Sequence, residues 1–189
     1  LFAERNIPSV PEGIAEARSM LQTYNLYVPD IAGGTAKTTF LKLQDAQFIP
    51  VVSVTQADAL RVDFFRKPIG KTAIVTPYSD EGSVSINFSG SRNDKKRILQ
   101  LAYTFWPVDY QTMATYALKP SGAAWQELQS GSGYIARYPK NGTRAVIRNV
   151  SLAYYDSFEP QTYLQPIFVF DGDDGFLAYV QAVVKEWTE

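Results

Sequence analysis

The sequence predicts an α+β fold in which mainly antiparallel sheet is covered by two short helices, and three observations support this class. Residues 144–183 read as three consecutive strands, because apolar side chains alternate along the first two and the acidic turn 171–175 leads into the third. Two stretches, 9–24 and 121–129, have apolar residues at helical spacing. The remaining strands arrive in runs without intervening helices, which is not the rhythm of parallel βαβ units.

The chain of 189 residues fits one large domain or two small ones packed together. We interpret residues 1–8 as a linker and residues 9–189 as one α+β domain. A division into two subdomains, 9–90 and 91–189, is the alternative, with two related helix-on-sheet halves as one form of it.

The first helix has a recognisable start. Ser9 is placed as its N-cap, Pro11 lies in the first turn, and Glu12 closes a capping box with Ser9. The inward face is then predicted to be Ile14, Ala17, Met20, Leu21 and Tyr24. Residues 25–34, which contain Pro29 and two glycines, are predicted to be a loop.

Strands are predicted next at 38–43, 48–54, 59–65, 71–76, 83–89 and 97–106. The strand 83–89 alternates strictly, so we expect Val84, Ile86 and Phe88 to be buried and its polar residues to be exposed, with 71–76 as its hairpin partner. The segment 110–118 is a further strand candidate.

The second helix is predicted from Ser121 to Gln129. Its inward side chains are expected to be Ala124, Trp125 and Leu128, and the glycines that follow end it.

Composition excludes several classes of function. With 18 basic and 19 acidic residues the net charge is -1, so nucleic acid is not expected as a partner. The chain has no Cys and no His, which removes thiolate and imidazole nucleophiles and the usual zinc ligands. We therefore expect no enzyme, no cofactor and no metal site.

Carboxylates are the one route left to catalysis. Asp63, Asp109, Asp156 and Glu159 lie near aromatic residues, and two of them facing each other across a cleft could cleave a glycan. Asp63 has a simpler explanation, because Arg61 or Arg66 can pair with it. The acidic turn at 171–175 lacks the spacing of an EF-hand and is predicted to be a hairpin turn.

Aromatic side chains beside prolines are typical of contact surfaces. On that basis the candidate interaction residues are Trp106, Tyr110, Tyr155, Phe158 and Tyr163. Tyr155 alternates with Leu152 and Tyr154, so it is predicted to be exposed.

Four segments carry a resemblance: LRVDFFRKP, LAYTFWPVDYQTMATYALKP, AAWQELQSGSGYI and VSLAYYDSFEPQTYLQPIFVFDGDDGFLAYVQAV. They resemble single-pass surface proteins of uncharacterised function from small-genome candidate-phylum bacteria. More distantly, the order is similar to the extracytoplasmic YycH/YycI-type regulatory domains, with matching pieces at 124–128, 153–155, 164–166 and 178–182.

The resemblance implies an extracytoplasmic, surface-exposed domain that hangs from an N-terminal membrane helix. No apolar run in the chain reaches the ~20 residues that span a bilayer, and the chain starts at Leu1, so we expect that anchor to precede it. YycH/YycI-type domains act through protein contacts.

The expected function is therefore non-enzymatic protein–protein interaction at the cell surface or membrane, with a regulatory or assembly role. A carbohydrate-binding or carboxylate-dependent glycan-cleaving domain is the alternative, and a structural spacer in a larger assembly is a third reading. The sequence does not fix the oligomeric state.

Overall fold

The computed structural model describes residues 6–184, which form two compact units. Of these residues, unit 1 comprises 6–67 and 80–105, and unit 2 comprises 68–79 and 106–184. The described residues contain ten strands in two five-stranded sheets, together with four helices. The predicted α+β class, with mainly antiparallel sheets and few short helices, is confirmed.

In chain order the elements are α1 (Val10–Thr23), α2 (Pro29–Ala32), β1 (Thr35–Gln44), β2 (Gln47–Val51), β3 (Ala59–Phe65), β4 (Ala73–Val75), β5 (Val84–Ser89), α3 (Asp94–Arg97), β6 (Ile98–Tyr103), α4 (Ser121–Gln129), β7 (Tyr134–Arg137), β8 (Ile147–Tyr155), β9 (Gln165–Gly172) and β10 (Leu177–Gln181). Within residues 6–184, none of the helices is both long enough and apolar enough to cross a membrane.

Helix α1 begins where the sequence predicts. The Glu12 carboxylate accepts hydrogen bonds from the Ser9 backbone N–H at 2.9 Å and from the Ser9 hydroxyl at 2.7 Å. Ala17 and Leu21 are fully buried, as the helical spacing predicts. Tyr24, however, is 67% exposed, because α1 ends at Thr23 and Tyr24 lies past its last turn.

The sheet of unit 1 has the order β2-β1-β3-β5-β6 and is antiparallel throughout. Its α1-facing side carries the core of the unit. The buried side chains there alternate along the two central strands, as predicted: Leu60, Val62 and Phe64 from β3, and Val84, Ile86 and Phe88 from β5.

Three predictions for unit 1 are wrong. Strand β5 is not half-exposed, since Ser89 is fully buried and Asn87 is 7% exposed. The Ser89 hydroxyl donates to the Lys96 carbonyl at 2.6 Å, and the Asn87 amide donates to Gln100 of β6 at 3.1 Å. The predicted hairpin between 71–76 and 83–89 does not form, because β4 belongs to the sheet of unit 2. The predicted loop at 25–34 contains the helical turn α2, whose first residue, Pro29, suits that position.

The sheet of unit 2 has the order β4-β8-β9-β10-β7. Strands β8, β9 and β10 form the predicted meander, and only β4 runs parallel to its neighbour, β8. Helix α4 has the predicted bounds and packs against β10. Gly131 follows it with a φ of 84°, the left-handed conformation that lets glycine end a helix.

The strand predicted at 110–118 is absent. Asp109 turns the chain at its start, since its carboxylate accepts hydrogen bonds from the Gln111 N–H at 2.9 Å and the Thr112 hydroxyl at 2.6 Å. Only Leu118 makes a bridge, to Val183.

Candidate interaction site

The first candidate carboxylate, Asp63, is a structural group of unit 1. It is fully buried on β3, where one oxygen accepts the Arg61 Nε–H at 2.8 Å and the other accepts the Gly82 N–H at 3.1 Å. Burial raises the pKa of the Asp63 carboxyl, against the opposing effects of Arg61 and the Gly82 N–H. The predicted pairing with Arg61 is confirmed, and its consequence is to hold the loop at Gly82 against β3.

The other three carboxylates lie in unit 2. The Thr112 hydroxyl and the Gln111 N–H lower the pKa of the exposed Asp109 carboxyl. Asp156 is 2% exposed, whereas Glu159 is exposed. Within residues 6–184, no group of three or more acidic side chains is gathered closely enough to hold a metal ion.

The acidic turn after β9 is a hairpin turn, as predicted, and it is tied by an ion pair. Arg148 donates two hydrogen bonds to the Asp173 carboxylate, at 2.7 and 2.5 Å. This arginine lowers the pKa of the Asp173 carboxyl.

The structure separates the five candidate aromatic residues by environment. The Trp106 indole N–H donates to the Phe158 carbonyl at 3.3 Å, and Trp106 is 41% exposed. Tyr163 is 59% exposed, and Tyr110 is half-buried. Trp106 and Phe158 are therefore brought together.

The prediction that Tyr155 is exposed is wrong. Tyr155 is half-buried and its ring lies 6.2 Å from that of Tyr179, which is 3% exposed. The alternation along β8 is real, but Ala153 and Tyr155 face the core on that side of the sheet, while Val150 and Leu152 are the exposed residues. Sequence reasoning chose the wrong face because both faces of this strand carry apolar side chains.

The exposed side of β8 contributes to an apolar groove beside α4. The groove has a volume of about 560 Å³. It is lined by Ser121, Gly122, Trp125, Ala145, Val146, Ile147, Val150 and Phe170. We call this feature the α4–β8 groove.

The α4–β8 groove exists because α4 covers only part of the sheet. Ala124 is fully buried against a cluster on β9 and β10 that contains Phe170 and Val180. Trp125 lies at the margin of this contact, with its ring 6.0 Å from that of Phe170 and 38% of its surface exposed. The prediction that Trp125 points inward is therefore half right.

Beyond Trp125, apolar side chains meet solvent. Val146 is 54% exposed, Val150 is 42% exposed and Leu152 is 38% exposed. Single exposed apolar residues are ordinary, but Val146 and Val150 line the groove together with Trp125, and a set of apolar residues that lines a groove is typical of an interaction site.

The segment before β8 is basic, and the acidic turn after β9 lies beside it, where the Asp173 N–H donates to the Val146 carbonyl at 3.0 Å. Between Glu127 and Asp156 the sequence has no acidic residue, whereas it has four basic ones, Arg137, Lys140, Arg144 and Arg148. Lys140 and Arg144 are exposed, and neither pairs with a carboxylate within the described part of the chain.

The N-terminus of α4 also lacks a negatively charged side chain. Its N-cap is Pro120, which has no side-chain acceptor, and its first turn has no acidic residue. The absence of acidic residues from 128–155 is the signal that could have pointed to this surface from the sequence. Comparisons with family models, with curated proteins and with solved structures find no match for this chain.

Proposed function

We propose that this chain is a non-enzymatic domain that acts by binding another protein through the α4–β8 groove. The observation that carries the proposal is a groove whose lining is apolar apart from Ser121 and includes the half-exposed Trp125. Half-buried tryptophan in a groove is the kind of side chain that dominates protein interfaces.

The chemistry of the lining argues against catalysis at this position. None of the eight residues that line the groove carries a carboxylate, an amine or an imidazole. A general acid and a general base both need such a group within hydrogen-bond reach of the substrate.

The second candidate is glycan binding, and the exposed ring of Trp125 is the feature that favours it. Sugar recognition also needs several polar groups that fix orientation. The groove offers one side-chain hydroxyl, that of Ser121. Protein binding is therefore the better match to the groove.

The location of the domain is part of the proposal. The resemblance to bacterial surface proteins and to YycH/YycI-type domains supports an extracytoplasmic position on an N-terminal membrane anchor. The partner would then be a protein at the cell surface or membrane, and the role regulatory or one of assembly.

The test compares one groove variant with two carboxylate variants in the full-length protein, isolated from its own membrane with whatever protein accompanies it. Val146→Asp places a charge in the groove at a side chain that is 54% exposed, so folding should tolerate it. We expect this variant to lose the accompanying protein. Asp109→Ala and Glu159→Ala, at exposed carboxylates, should keep it. Retention by Val146→Asp, or loss in either carboxylate variant, would count against the proposal.

A further inference from the structure

Strand β8 has an edge that its neighbours leave open. It pairs with β9 from Ile147 to Tyr155, but β4 pairs with it only at Ala153–Tyr155. Within residues 6–184, no strand pairs with 147–152 on the β4 side. Five of these six residues are exposed.

The direction of the open backbone groups follows from one hydrogen bond. The Asp156 N–H donates to the Val75 carbonyl at 2.9 Å, so Asp156 points its N–H toward β4. Along a strand, the N–H and C=O of alternate residues point to the same side. Val150 therefore presents its N–H and C=O groups to the open edge, and Leu152 presents its N–H, while the Leu152 carbonyl lies opposite the N–H of Ala73 at the start of β4.

The edge lacks the usual protection. Natural edge strands are blocked by proline, by inward-pointing charge or by a covering element. A bulge lies near Ile147, and Arg148 is engaged by Asp173, but 149–152 has neither proline nor charge. The same two residues that expose backbone groups, Val150 and Leu152, also expose apolar side chains.

We propose that an extended segment of another protein adds to β8 as a strand at 147–152, next to β4, with alternate apolar side chains on the α4–β8 groove. In this mode of binding, main-chain hydrogen bonds to β8 provide affinity, and the side chains that fit the groove provide specificity. The segment carries acidic residues, because Asp173 of the neighbouring turn is paired with Arg148, whereas Lys140 and Arg144 are exposed and have no carboxylate partners among the described residues. The inference rests on the proposed function and names the partner's form and charge.

The test uses the full chain as bait for a phage-displayed library of random dodecapeptides. We expect enriched peptides to alternate apolar and polar residues, to lack proline in the alternating part and to carry Asp or Glu beside it. Enrichment of basic peptides, of helically spaced apolar residues or of nothing at all would overturn the proposal.

Matched variants then separate backbone from side chain. Val150→Pro removes an edge N–H that makes no bond to β9, whereas Val150→Thr keeps that N–H and the branched shape. An enriched peptide should bind the proline variant roughly tenfold more weakly, since one main-chain hydrogen bond is lost and the ring also obstructs the edge. The threonine variant should lose less. Equal binding by the proline variant would contradict strand addition.

Hydrogen exchange of the unchanged protein tests the same edge without a substitution that could impair folding. On peptide binding, the amides of Val150 and Leu152 should gain hydrogen-exchange protection, while that of Ser151, which faces β9, should not change. No new protection at Val150 and Leu152 would overturn the proposal.

Charge reversal tests the second half of the inference. The double variant Lys140→Glu with Arg144→Glu should weaken peptide binding, whereas Lys95→Glu with Lys96→Glu, at exposed lysines of unit 1, should not. Equal effects of the two pairs would contradict the predicted acidic segment.

Two results keep this inference distinct from the proposed function. If Val146→Asp loses the native partner but the edge amides stay unprotected, strand addition is refuted, whereas the proposal of protein binding at the groove is supported. If the chain forms a dimer that Val150→Pro dissolves, the edge pairs with a second copy, and the proposal of a separate acidic partner is overturned.

Discussion

Replacing Asp63 with alanine tests whether this buried carboxylate is structural or catalytic. The substitution leaves the buried Gly82 N–H without its acceptor and removes the closest carboxylate from Arg61. Breaking a buried ion pair costs about 3–5 kcal/mol. Arg61 keeps hydrogen bonds to Glu81 and to the Asp80 carbonyl, both at 3.2 Å, so we expect the lower end, about 3 kcal/mol.

The measurement is thermal unfolding followed by circular dichroism. A loss of about 3 kcal/mol should lower Tm by roughly 6–12 °C in a protein of this size. The control is Lys37→Ala, which removes an ion pair with Asp80 whose side chains are 49% and 46% exposed. Such a pair contributes at most about 1 kcal/mol.

A specific result would refute this reasoning. Catalytic groups are often held at a cost to stability, so their removal leaves a protein as stable as before or more stable. If Asp63→Ala unfolds at the same temperature as the unchanged protein or higher, the structural role is wrong and the glycan-cleaving alternative gains support.

The remaining predictions concern packing in each unit. A Cβ on Gly82 would lie 2.3 Å from the Phe64 carbonyl oxygen, whereas none of the described atoms lies within 4 Å of one on Gly122. Gly82→Ala should therefore lower the urea midpoint of unfolding, and Gly122→Ala should keep or raise it, since alanine is favoured in a helix by up to about 1 kcal/mol. Tyr155→Ala should cost about 2 kcal/mol, because the side chain is half-buried against the core, while Tyr163→Ala, at 59% exposure, should stay within about 0.5 kcal/mol. Similar midpoints for either pair of variants would show that the burial described for them is wrong.

Local signals predicted the two longer helices, α1 and α4, and most strands, but not the single turns α2 and α3. The Ser9–Glu12 capping box starts α1, and α4 has the bounds expected from its apolar spacing and the glycines after it. The start and end of a helix depend on a few residues that are neighbours in the sequence, so these positions can be predicted from the sequence alone.

Non-local pairing could not be predicted in the same way. Strand β4 joins β8 in parallel although Val75 pairs with Tyr155, 80 positions later in the chain, and nothing within 71–76 indicates that distant neighbour. Asn87 and Ser89 of β5 are buried because they hydrogen-bond to Gln100 of β6 and to the Lys96 carbonyl of α3, which again depends on the neighbouring elements. The alternation of apolar and polar side chains indicates which residues of a strand share a face, but it does not indicate which strand lies next to it.

The candidate site was predicted only in part. Aromatic residues beside prolines were selected from the sequence. The groove, however, forms where α4 does not cover the sheet, so that Val146 and Val150 stay exposed, and the sequence does not indicate how much of the sheet a helix covers. Trp125 was assigned to the core because helical spacing gives the face of a residue and not how far the opposing sheet extends. The acid-free segment before β8 was visible in the sequence, and its meaning depends on the open strand that follows it.

The most direct test of the account is photo-crosslinking in the producing cell, with a photoreactive amino acid at Val146 in the groove or, as control, at the exposed Lys95 of unit 1. The account predicts one protein adduct from position 146 that is absent at position 95. Equal adducts at both positions, or none at position 146, would contradict it.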